Sequence, residues 1–246
     1  MKKSLALSIL LLAGMTVWGQ TKDSRINQFA DFSVTFGQSQ QSFALSYVYN
    51  WQVGKKKKWE FGVGARNTLF TGVKNEYITA GPARLTRSFT FPFIIVAAGQ
   101  REENFDTLEV QRPLVNLFNI TANIGYNISP KWYAGFNIDV IGFSFGRKSS
   151  AALQSNGINY TEPAAKPSTF NLLLTGDHDK GSLNSEFFVR YRLNKRWSIK
   201  AVYQFLFEEY QTSKFKQVAG DGTVINRFRN KANNFGAGVS YNFLNK

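Results

Sequence analysis

A two-residue alternation of apolar and polar side chains runs through most of this chain, and every charged residue in the alternating stretches falls on the polar parity. In Phe43 to Val53 the odd positions are Phe43, Leu45, Tyr47, Tyr49, Trp51 and Val53, and the even ones are mostly small or polar. The split recurs from Trp59 to Arg66, Phe118 to Ile128, Trp132 to Val140, Glu186 to Leu193, Trp197 to Glu208 and Asn234 to Phe243, with a weaker first stretch over Asp31 to Phe36. A period of two places successive side chains on opposite faces of a sheet, so these stretches predict eight strands. The polar face is rich in Gly, Asn, Ser and Thr rather than in the Lys and Glu of a solvated surface, as a narrow lumen requires. An apolar outer face on strands of about ten residues with aromatic ends is the pattern of a barrel that crosses a membrane.

Composition closes other routes. The chain has no cysteine, hence no disulfide framework and no thiolate zinc site. It lacks the runs of roughly 18 apolar residues that a polytopic helical membrane protein needs. With 15% aromatic and 19% charged residues it is not a disordered polymer. Its N-terminus, Lys2-Lys3 followed by the apolar Leu5 to Val17 and then Trp18-Gly19, reads as a cleavable secretory signal peptide over residues 1–19. Residues 20–246 then form the barrel domain. Loss of Lys2 and Lys3 takes the net charge from +14 to +12.

The connections alternate in length. Gly54 to Lys58, Ser129-Pro130-Lys131 and Asn194-Lys195-Arg196 are tight basic turns, each followed at once by a tryptophan: Trp59, Trp132 and Trp197. Tyr126-Asn-Ile-Ser-Pro-Lys-Trp132 and Tyr191-Arg-Leu-Asn-Lys-Arg-Trp197 repeat one spacing, and Tyr241-Asn-Phe-Leu-Asn-Lys246 repeats its first half. Short turns of transmembrane barrels face the periplasm, which places the tryptophan rim inward. Gln38 to Ser42, Lys74 to Arg112, Arg147 to Leu183 and Glu209 to Arg229 are then expected as extracellular loops. Two of them hold apolar runs, Phe89 to Ala98 and Phe170 to Thr175, each readable as a strand above the membrane or a segment over the barrel mouth. Counting one as spanning would reverse the turns that follow, so ten strands is the alternative.

The leader, the Tyr-strand, basic turn and Trp-started return strand, and the terminal Tyr241-X-Phe243 together resemble the small bacterial outer-membrane β-barrels of the OmpA/OmpX-type superfamily, especially the porin-family barrels of uncertain function from Bacteroidetes-like bacteria. Leu244-Asn245-Lys246 follow Phe243, whereas such barrels often finish on the aromatic residue. The resemblance implies an all-β, antiparallel up-and-down barrel in the bacterial outer membrane, surrounded by phospholipid and lipopolysaccharide and inserted by the outer-membrane assembly machinery.

Chemistry-bearing motifs are sparse. His178, between Asp177 and Asp179 and near Ser182 and Ser185, is the only base for a lipid hydrolase or acyltransferase, and a polar loop apex explains it as well. Asp177, Asp179 and Gly181 lack the later ligands of a calcium loop. Gly62-Val-Gly64 and Gly236-Ala-Gly238 lie within strands, with no helix to follow a phosphate cradle. No catalytic, metal or cofactor site is therefore expected, and no cofactor. The basic residues do not cluster on an aromatic platform for nucleic acid. On the lumen parity Glu60, Asp139, Glu186 and Glu208 can offset Arg66, Arg190, Arg192 and Lys200, with Tyr133 and Phe188 adding bulk. The expected function is that of a barrel with a filled lumen and long outer loops, in a structural, binding or surface-interaction role and not an enzyme. A small solute pore is the second reading.

Overall fold

Strands need partners for their backbone N–H and C=O groups, and closure supplies them without leaving an edge. The computed structural model describes residues 25–86, 101–155, 157–174 and 179–243. Its strands are β1 (Ile26–Gly37), β2 (Gln40–Val53), β3 (Trp59–Gly72), β4 (Lys74–Thr79), β5 (Thr107–Gln111), β6 (Leu114–Asn127), β7 (Trp132–Gly146), β8 (Ser149–Ser155), β9 (Ile158–Pro167), β10 (Phe170–Leu172), β11 (Leu183–Arg192), β12 (Trp197–Gln211), β13 (Gln217–Val218), β14 (Val224–Ile225) and β15 (Arg227–Phe243). Antiparallel pairing runs β1–β2–β3–β6–β7–β11–β12–β15 and back to β1.

A second ring stands on the first. It runs β15–β4–β5–β8–β9–β12 and closes through β12–β15. The β1–β2 hairpin stops at Gln38-Ser39, where the Ser39 carbonyl accepts the Val73 N–H at 3.0 Å. Beyond that point β3 carries on as β4, which takes the place of β1 beside β15. On the far side Arg112-Pro113 and Arg147-Lys148 link β5 to β6 and β7 to β8, tied by Arg147 N–H to the Leu114 carbonyl at 2.9 Å. With β1 and β2 gone the circuit narrows from eight strands to six, and a smaller strand number gives a smaller bore.

These facts correct the count of eight strands, and the alternative of ten: the described residues hold fifteen, thirteen of them in one sheet. The extra strands lie in the segments expected to be long outer loops. Leu108 and Val110 alternate with polar neighbours, and Ala151 and Leu153 with the exposed Ser150, Ala152 and Gln154; in water such residues are buried by pairing across a sheet. The Gln38 to Ser42 connection shrinks to a two-residue turn, with Ser39 at φ 59°. Val140, expected on the outward parity of β7, sits at a bulge between the Ile120–Ile141 and Thr121–Asp139 pairs, so Ile141, Phe143 and Phe145 carry the outer face upward. Phe170–Leu172 runs along β7 as β10. The leader, Phe89 to Ala98, His178 and Lys246 lie outside the described residues.

The sign of burial inverts along the barrel axis. In the lower ring the outward residues are apolar and bare, with Leu45 59%, Phe118 51% and Phe235 67% exposed, while Ser33, Asn50, Thr121 and Ser198 are buried inside. In the upper ring the interior is apolar: Phe70, Tyr77, Leu108, Val110, Leu117, Leu153, Leu206, Tyr210 and Phe228 form one buried cluster. Each such side chain withdrawn from water contributes roughly 1.5–3 kcal/mol. Leu173, just after β10, packs on Leu183, Phe205 and Phe207 on the outside of β12.

Candidate functional site

The lumen is filled in layers from the tryptophan rim upward. At the bottom the Glu60 carboxylate accepts from Asn27 Nδ2 at 2.8 Å, Gln52 Nε2 at 3.0 Å, Asn127 Nδ2 at 2.8 Å and the Tyr133 hydroxyl at 3.1 Å. Above it the Arg190 guanidinium lies 3.9 Å from the Phe29 ring centroid and 5.0 Å from that of Tyr133, stacked as a cation over aromatic faces. Gly125 and Gly135 make room there: a Cβ on Gly135 would stand 2.4 Å from Phe188 Cζ.

A chain of ion pairs follows. Asp31 meets Arg190 at 3.3 Å and Lys200 at 3.2 Å, Lys200 meets Glu186 at 3.3 Å, Glu186 meets Arg66 at 3.6 Å, and Arg66 meets Asp139 at 2.5 Å. Three buried cations thus face three buried carboxylates, and Asn119 and the Asn184 N–H complete the bonding of Asp139. Buried charge of this kind persists only when paired, and here the pairing spans the bore from wall to wall. Gln204 then accepts from Thr35, Ser42 and Asn234, and over that layer sits the apolar core of the upper ring.

Sequence reasoning placed these charges on one face and the structure brings most of them together. Two differ. Glu208 accepts from Asn230 Nδ2 at 3.1 Å, above the ion-pair chain rather than in it. Arg192 binds Asn127 Oδ1 and the carbonyls of Ser129 and Pro130 at the lower rim, with no carboxylate at salt-bridge distance among the described residues. Phe29, whose ring carries Arg190, was missed, although its parity with Asp31 was readable.

The upper ring carries a crevice of about 180 Å³ lined by Leu85, Glu103, Asn104, Asp106, Ser155 and the β13–β14 hairpin. Asp106 is buried on its wall, and its Oδ2 has no hydrogen-bond partner among the described residues. Burial raises its pKa above the usual aspartate value, against the Ser155 hydroxyl, which lowers it. Nearby, Thr223 and Arg84, the latter 2.9 Å away, hold the exposed Asp221 carboxyl down to about 2 and tie the hairpin to a helical turn, α1 (Ala83–Thr86). His178 lies outside the described residues; of its neighbours in the sequence, Asp179 Oδ1 accepts the Leu174 N–H at 2.5 Å and Ser182 Oγ accepts the Glu209 N–H at 2.9 Å, so both are engaged in holding the fold.

No protein-family model matches the chain, and neither does any curated protein. Among solved structures it is similar to a de novo designed transmembrane β-barrel (8% identity over 88% of this chain and 95% of that one, TM-score 0.34), to Neisserial surface protein A (13%, 89% and 96%, TM-score 0.32) and to Ail, the attachment invasion locus protein of Yersinia pestis (11%, 89% and 96%, TM-score 0.33).

Proposed function

We propose that this chain is a bacterial outer-membrane β-barrel that acts through its outer cap, as a binding or surface-interaction protein and not as a pore or an enzyme. The observation that carries the reading is the blocked bore: a neutral chain of six buried charges crosses the lower ring, and an apolar core fills the upper one. A solute path would need water where these side chains pack. The bare apolar belt supports a lipid surround, because soluble proteins seldom expose apolar patches of this extent. On this reading residues 1–19 are a secretory leader, residues 20–246 are the barrel, and phospholipid, lipopolysaccharide and the assembly machinery are its partners. Relationship to the OmpA/OmpX-type superfamily rests on the Tyr, basic-turn and Trp repeat.

The capped end then faces outward and the tryptophan rim faces the periplasm. Protease applied to intact cells cleaves in the cap segments and spares Lys55 to Lys58; cleavage at that lysine turn in unpermeabilised cells overturns the orientation. Purified protein in planar bilayers passes no steady porin-sized current. Reproducible ion-selective steps that vanish in Arg190→Ala would restore the pore reading.

A further inference from the structure

We propose that the tryptophan rim carries a binding site for the phosphate headgroup of an anionic phospholipid, formed by the Lys55–Lys58 turn over the Trp59–Tyr126 pair. The inference rests on the membrane reading above and adds a ligand to it.

One unit recurs around this rim. Trp59 faces Tyr126 across the β3–β6 ladder with ring centroids 4.7 Å apart, and Lys58, which precedes the tryptophan, holds Nζ 5.8 Å from the Tyr126 ring. Trp132 faces Tyr191 at 4.9 Å, with Lys131 Nζ 5.9 Å from that ring. Trp197 faces Tyr241 at 5.1 Å, preceded by Arg196. Paired Trp and Tyr rings settle at the depth of lipid headgroups, so the cation attached to each pair lies at the depth of the phosphates.

At the β2–β3 turn the unit becomes a site. Gly54 at φ 80° and Lys57 at φ 50°, with the Lys57 N–H donating to the Gly54 carbonyl at 3.2 Å, fold four consecutive lysines into one tight turn. That turn, Val53, Trp59 and Tyr126 line a crevice of about 300 Å³. Lys55, Lys56 and Lys58 are exposed. Glu60 is the only carboxylate side chain among the described residues of this rim, and it is buried in the lumen with its oxygens taken by Asn27, Gln52, Asn127 and Tyr133. Adjacent like charges repel, and an anion seated among them relieves that repulsion. A phospholipid offers both halves of the match: a phosphate for the lysines and acyl chains for the aromatic wall beneath. Inorganic phosphate offers only the first.

The full chain, reconstituted in phosphatidylcholine nanodiscs doped with phosphatidylglycerol, is released and its bound lipid read by native mass spectrometry. Wild type retains phosphatidylglycerol over phosphatidylcholine. Each lysine near an anionic surface is worth a factor of about five, so Lys55→Gln/Lys58→Gln lowers that preference by about 25-fold. Lys57 is left alone because its backbone is left-handed. Lys148→Gln/Lys166→Gln removes the same charge at the opposite end and leaves the preference unchanged. Equal retention by wild type and the rim variant overturns the site, as does an equal loss in both double variants. Displacement of the lipid by excess inorganic phosphate overturns the lipid and leaves an anion site. A chain that inserts into neither lipid mixture overturns the membrane reading itself, and this one with it.

Discussion

Removing one charge from the lumen chain tests whether the bore is dry. In Glu186→Gln the three cations Arg66, Arg190 and Lys200 face only Asp31 and Asp139. At 3.3 Å and an effective dielectric of about 20, the Lys200–Glu186 attraction is on the order of 5 kcal/mol before desolvation is counted. Breaking a buried pair by deleting one partner costs about 3–5 kcal/mol, because the remaining charge stays buried without compensation. Guanidinium unfolding of the detergent-folded protein, followed through tryptophan fluorescence, is expected to register a loss of that size. The double variant Glu186→Gln/Lys200→Met removes a cation and an anion together and should recover most of it, giving a coupling energy of about 2 kcal/mol or more across the cycle. A loss under about 0.5 kcal/mol for Glu186→Gln, with additive behaviour in the double variant, would mean that water screens these charges. The blocked-bore argument, and the function drawn from it, would then fail.

The upper ring has its own apolar core, so Leu108→Ala should cost about 2–5 kcal/mol there while the lower ring keeps its heat-modifiable gel migration; protease sensitivity of the cap against that migration separates the two. Gly135→Val puts side-chain atoms into the Phe188 ring and should destabilise the lower ring by about 1–3 kcal/mol or more, a loss that Phe188→Ala in the same chain partly relieves. Burial opposes ionisation of Glu162, but the Lys214 and Phe215 N–H groups and the Ser213 hydroxyl outweigh it and lower its pKa. Its contribution is therefore complete above the ordinary glutamate pKa and is lost as pH falls through the lowered one; the protection of amides over residues 213–217, taken relative to their intrinsic exchange rates at each pH, should fall in acid, and Glu162→Gln should abolish that dependence. Asp106 has the opposite sign, since burial raises its pKa. Stability of the cap should decline as pH rises from the ordinary aspartate value through the raised one, and Asp106→Asn should flatten the decline.

Period-two alternation alone determined which residues share a face, because a strand offers only two. Asp31, Arg190 and Lys200 were thus assigned to the lumen by parity, and the bare belt of Leu45, Phe118 and Phe187 by its complement. The basic turns, each followed by a tryptophan, were equally legible, but the pairing of Trp59 with Tyr126, Trp132 with Tyr191 and Trp197 with Tyr241 joins strands that these turns do not connect. Parity says nothing about which strands close on which. That Arg66 bridges Asp139 and Glu186, that Phe29 carries Arg190, and that β4, β5, β8 and β9 return to β12 and β15 are results of long-range closure. Val140 shows the limit within a single strand, where one bulged residue resets the faces above it. The meaning of an apolar face also changes along the chain: Trp197 and Ile199 point out, while Leu206 and Tyr210 of the same strand point in. The amino-acid pattern is the same in both places, and the surroundings, apolar around the lower ring and aqueous around the upper one, decide which side of the wall it must face.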